Sequence, residues 1–140
     1  MSTRNRVKRY YLKSQKWISE TKAIRLLKTF GIVIGENNKD CLFMHANESM
    51  KHWVVKAIIF KILKDLGRTV GSEIEVRNGI VDIIDVNNCI AYEIESRLDE
   101  KRIRDKKLKY YALRDVFILD LDEIPNDIKS AEVYLKAKIV

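Results

Sequence analysis

Gly79-Ile80-Val81-Asp82-Ile83-Ile84-Asp85, and just beyond it Ala91-Tyr92-Glu93-Ile94-Glu95, decide how this chain folds. Both are short apolar runs rich in β-branched residues, the composition of buried strands. Asn78-Gly79 opens the first and Asn87-Asn88 separates the two; such pairs close tight hairpins. A third run precedes them. The spacing predicts an antiparallel meander of three strands over about Thr69–Val76, Gly79–Val86 and Cys89–Ser96. Acids sit inside these apolar strands. Side chains two apart on a strand point the same way, so Glu93 and Glu95 share a face, and the hairpin brings Asp82 beside them. Converging carboxylates repel and are costly to desolvate. A divalent cation removes that cost, which makes the trio a candidate metal site.

Helices flank the meander. From Glu48 to Leu66 the residues Val54, Ala57, Ile58, Ile62 and Leu66 form a stripe, with Asn47 as the expected cap and Gly67 as the stop. After the third strand comes a highly charged helix, about Leu98–Leu113, then an apolar strand, Asp115–Leu121, and a last helix, about Asp127–Ala137. The intervening helix lets the fourth strand rejoin the sheet by a crossover. The expected fold is therefore α/β: a mixed sheet, antiparallel meander plus crossover strand, flanked by helices. Residues 1–46 read as a basic N-terminal arm with a helix and a hairpin. The helix is capped by Ser19 and carries Ala23, Ile24, Leu27 and Phe30 up to Gly31; the hairpin pairs Ile32–Ile34 with Cys41–His45. Residues 47–140 read as the core, and the whole as one structural domain.

Composition narrows the class. A chain of 140 residues, 46% hydrophobic and 34% charged, buries a core and is neither disordered nor disulfide-dependent. Cys41 and Cys89 are its only cysteines and form no zinc motif, so both are expected as reduced thiols in an intracellular, cytoplasmic protein (the host cytoplasm for a viral source). No apolar run reaches the length of a membrane span. Charge is uneven: residues 1–30 carry nine Lys or Arg against Glu20, net +8, while residues 31–140 carry 18 basic and 19 acidic residues, net −1. Tyr10, Tyr11 and Trp17 are interleaved in this arm, a pattern that suits a phosphate backbone with stacked bases, or else a helix packed on the domain.

The order helix, meander with Gly-x-Val-Asp in its second strand and Glu-x-Glu in its third, helix, strand resembles the PD-(D/E)XK nuclease superfamily, over about Asn47 to Leu121. The resemblance implies a restriction endonuclease-like core and metal-dependent hydrolysis of DNA phosphodiester bonds. It implies Asp82 and Glu93 as ligands of Mg2+ or Mn2+, with the backbone carbonyl of Ile94 as an extra ligand and Glu48 as the helix acid that joins them. The third-strand lysine of the family falls on Glu95. Some members carry Glu there, so Glu95 is expected to accept a proton from the attacking water or hold a second ion. Val81 replaces the Pro that precedes the Asp in the motif.

Phosphate contacts are expected from His52 and Lys56, four and eight residues after Glu48 on one helix face, and from Arg97, Arg104, Lys106 and Lys107. The last four belong to seven basic residues between Arg97 and Lys109, net +4 after Asp99, Glu100 and Asp105. Each element has a plainer reading. Glu93 and Glu95 also suit the solvent face of a half-buried strand, and Glu48, His52 and Lys56 a solvated stripe. Asp85 and Glu75 read as surface or strand-end acids, His45 as structural, and Trp53 as core or interface. The expected partner is DNA, with branched DNA or RNA left open, and the expected state a homodimer. The alternative is a catalytically inactive nucleic-acid-binding protein on the same fold. Neither a Walker-type loop nor Gly-x-Ser-x-Gly is present, which excludes two large enzyme classes.

Overall fold

The computed structural model describes residues 18–76, 79–97, 99–109, 113 and 115–140. The aromatic basic arm around Tyr10, Tyr11 and Trp17, and the Asn78 turn position, lie outside them. Among the described residues there are four helices and four strands: α1 (Glu20–Lys28), α2 (Met50–Asp65), β1 (Val70–Val76), β2 (Gly79–Asp85), β3 (Ile90–Glu95), α3 (Glu100–Lys109), β4 (Asp115–Asp120) and α4 (Ile128–Ile139). The sheet order is β1-β2-β3-β4. The first three strands pair antiparallel, and β4 runs parallel to β3 through the α3 crossover. The mixed α/β sheet read from the sequence is therefore present.

Each helix begins where a short polar side chain satisfies a free N–H. Ser19 Oγ accepts from Lys22 N, and Ser49 Oγ from His52 N at 3.1 Å. Asp99 accepts from Arg102 N, and Asp127 from Ser130 N. The α2 cap is thus Ser49 rather than Asn47. Gly31 and Gly67, at φ +80° and +78°, follow the ends of α1 and α2, where the left-handed conformation favours glycine.

Two cores sandwich the sheet. On one side α2 and α4 cover Val70, Ile83, Tyr92, Ile94 and Leu119. On the other, α1 with Ile32 and Ile34 covers Ile74, Val81, Ile84 and Ala91. The face of α2 that enters the core carries Val55, Ile59, Ile62 and Leu63. Of the expected stripe Ile62 enters this core, while Val54, Ala57 and Ile58 are half-buried toward α4 and Leu66 is exposed.

The expected hairpin of residues 32–45 does not form. Ile32 and Ile34 are drawn into the α1-side core, while the stretch after them runs along the outer edge of β1. Asp40 N donates to Val70 O, and Asp40 Oδ1 accepts from Val70 N and from Lys64 Nζ, both at 2.9 Å. Ser72 Oγ donates to Cys41 O and accepts from Phe43 N. These bonds satisfy an edge that would otherwise offer unpaired backbone groups.

Strand regularity breaks at one place. Val81 and Ile84 enter the same core although they are three apart, and Val70 and Ile74 enter opposite cores although they are four apart. In the β1–β2 register Glu73 stands opposite Asp82; the ladder skips this pair, and Glu73 has φ +51°. The slip occurs where the acids lie.

Candidate metal centre

The β2–β3 ladder runs from Asp85↔Ile90 to Ile83↔Tyr92 and stops. At the next position the side chain of Asp82 replaces the neighbouring backbone: its Oδ2 accepts from Ile94 N at 2.8 Å. The strands part there, while β3 stays paired to β4 as far as Glu95↔Asp120. A cleft of about 410 Å³ opens at the fork, lined by Glu48, His52, Asp82, Glu93, Glu95 and Lys106 among others.

Four elements supply these groups. β2 gives Asp82. β3 gives Glu93 and Glu95 on one face, while Tyr92 and Ile94 pack under α2 on the other. Glu93 is only 2% exposed, which rules out the solvent-face reading. Glu48 lies just before α2, and His52 in its first turn. His52 Nε2 sits 3.6 Å from Glu48 Oε1 and 3.8 Å from Asp82 Oδ1. α3 sends Lys106 to Glu95 and to within 3.7 Å of Glu93 Oε2, and Arg102 to 3.4 Å from Glu95 Oε2.

Behind the cleft lies a feature absent from the sequence reading. Lys56 is 0% exposed, with its ammonium against Glu73 and 3.7 Å from Glu48 Oε1. His45 Nε2 closes the outer side of Glu73 at 3.0 Å. The expectation that Lys56 meets phosphate is corrected by this burial: it is an internal counter-charge. Its signal was the spacing of Glu48, His52 and Lys56, which puts all three on one face. Its partner is Glu73, from β1.

The remaining expectations divide. Arg97 and Arg104 are exposed and do not line the cleft. The Lys107 side chain lies outside the described residues. Ile94 lines the cleft, with its N–H committed to Asp82. Asp85 is at a strand end, as read, but is buried at 2% exposure, accepting from Asn88 N and Nδ2. Trp53 Nε1 donates to His45 O and ties the loop to α2. Cys41 Sγ donates to Lys39 O, and Cys89 Sγ to Val86 O.

Electrostatics fit a cation. Burial alone would raise the Asp82 carboxyl. The nearby His52 imidazole, the hydrogen bond from Ile94 N, the Glu93 side chain and the His52 charge outweigh it and hold Asp82 below its ordinary value. His52 is raised above its ordinary 6.5, mainly by its interaction with the nearby Asp82 carboxylate, against the cost of burial. Among the described residues, five carboxylates (Glu48, Glu73, Asp82, Glu93, Glu95) lie with three fixed cations (Lys56, Arg102, Lys106), so acids outnumber those cations by two. Glu48 Oε2 is buried without a hydrogen-bond partner. A divalent ion matches both the excess charge and the orphaned oxygen. One donor atom from each of Glu48, His52 and Asp82 lies within 4.8 Å of the others, close enough to share an ion.

A scan against protein-family models matches none, and neither a search of curated proteins nor one of solved structures returns a match. No helix among the described residues is long and apolar enough to cross a membrane.

Proposed function

We propose that the protein is a metal-dependent nuclease that hydrolyses DNA phosphodiester bonds on a restriction endonuclease-like core. The observation that carries this reading is the cleft itself. Glu48, Asp82, Glu93, Glu95 and Lys106 meet where β2 and β3 part, beside a mixed sheet of the expected order. Glu48, Asp82 and Glu93 are the residues to hold Mg2+ or Mn2+, with the Ile94 carbonyl as a further ligand. A bound divalent ion there neutralises charge on the scissile phosphate and acidifies a bound water.

The chain's own groups do the rest. Lys106, paired to Glu93 and Glu95, brings to the cleft the positive charge that the third strand lacks, and it can follow charge developing on the phosphate. Glu95, between Lys106 and Arg102, is positioned to accept the proton of the attacking water. The basic surface of α3 and the N-terminal arm supply salt-sensitive phosphate contacts, and a homodimer lets two sites address two strands.

The test incubates plasmid, single-stranded and branched DNA, and RNA, with the protein in Mg2+ or Mn2+. Cleavage should stop with chelator and fall by about 100-fold or more in Asp82→Asn and Glu93→Gln. Cleavage that survives both substitutions would refute the assigned site. Binding without cleavage would favour the inactive nucleic-acid-binding alternative.

A further inference from the structure

We propose that His52 is itself a ligand of the divalent ion, and that the site therefore selects a first-row transition dication, Mn2+ being the representative, over Mg2+. The inference rests on the reading of this cleft as a divalent-ion site and adds the identity of the ion.

Geometry carries it. Bonds of about 2.2 Å put donor atoms roughly 3.1 Å apart at the 90° of an octahedral shell and about 3.8 Å apart at 120°. His52 Nε2 stands 3.6 Å from Glu48 Oε1 and 3.8 Å from Asp82 Oδ1. Those separations are long for direct hydrogen bonds and close to those of donors sharing one ion. Nε2 is buried and has no hydrogen-bond partner, although both carboxylates are near. The backbone that carries the ring and the carboxylate beside it are both anchored. Ser49 Oγ fixes the His52 N–H at the start of α2, and Lys56, one turn on, holds Glu48 on the same face.

Donor chemistry turns the geometry into a choice of ion. Mg2+ favours an all-oxygen octahedral shell and gives up water reluctantly. An imidazole nitrogen beside two carboxylates suits a first-row transition ion, which binds nitrogen more strongly. With oxygen donors alone the cleft would have no reason to prefer Mn2+. With His52 aimed between Glu48 and Asp82, it does.

The experiment uses the full chain, stripped of metal, with Mn2+ and Mg2+ as probes. Calorimetric titration should give Mn2+ an affinity at least about tenfold above that of Mg2+. In His52→Gln the Mn2+ affinity should fall by about tenfold or more while Mg2+ changes little. Pulsed electron paramagnetic resonance of wild type with Mn2+ should show nitrogen-14 coupling from one imidazole. That readout does not depend on the variant folding. Equal affinities for the two ions, or bound Mn2+ without nitrogen coupling, would overturn the His52 assignment and leave the carboxylate site standing. Binding of neither ion, or Mn2+ binding unchanged in Asp82→Asn, would overturn the site reading and the inference together.

Discussion

Lys56 offers the sharpest perturbation, because burial and pairing together set its magnitude. The side chain is 0% exposed and its ammonium lies between Glu73 and Glu48, whose side chains are 13% and 14% exposed. Replacing it with Met keeps the aliphatic stem and removes the charge. Two carboxylates then face each other across a buried gap. Breaking a buried pair in this way costs about 3–5 kcal/mol. The lower end applies here, because Glu73 retains His45 at 3.0 Å and neither carboxylate is wholly cut off from water. A loss of about 3 kcal/mol corresponds to a fall of roughly 10 °C in midpoint for a domain of this size. Urea unfolding followed by circular dichroism measures it. Glu73→Gln in the Lys56→Met background should recover about 2 kcal/mol, since it removes one of the stranded charges. A loss below about 1 kcal/mol in Lys56→Met, or a double variant no more stable than the single, would refute the internal counter-charge.

Three further outcomes follow from the same geometry. Lys106→Met should lower single-turnover cleavage by about 100-fold, with DNA affinity nearly unchanged and partial rescue by Lys106→Arg, because its charge serves the cleft rather than general binding. Ser49→Ala should cost about 1 kcal/mol in urea unfolding by freeing the His52 N–H at the start of α2. Without metal, His52 has a raised pKa in the folded state; its stabilising share should be full below pH 6.5 and lost as pH rises through that raised value, a slope that His52→Gln should lack in thermal melts across pH 5 to 9.

The sheet was legible because strands have the simplest signal. β-branched runs bounded by Asn-containing turn pairs located β1, β2 and β3 to within a few residues, and the charged segment before Asp115 marked the crossover. Alternation likewise put Glu93 and Glu95 on one face. The face of α2 was harder, because apolar residues occupy nearly all sides of it from Val54 to Leu63. One side packs on the sheet and another on α4, so periodicity alone gave a stripe turned toward α4 that shares Ile62 with the core face. The hairpin failed for a tertiary reason: residues 39–43 find better partners along β1 than in Ile32–Ile34. The burial of Lys56 could not be seen because its partner, Glu73, is placed by a slip in β1 that no local pattern announces. His52 stood in view at four residues from Glu48, but its aim toward Asp82 depends on the fork between β2 and β3.

Anomalous diffraction from crystals of the protein grown with saturating Mn2+ would locate the ion and its ligands. One strong manganese peak is expected in the cleft at the fork, bonded to Asp82, Glu93, Glu48 and His52 at about 2.1–2.3 Å. A manganese peak elsewhere on the molecule with the fork empty, or His52 and Asp82 bonded only to each other, would contradict this assignment.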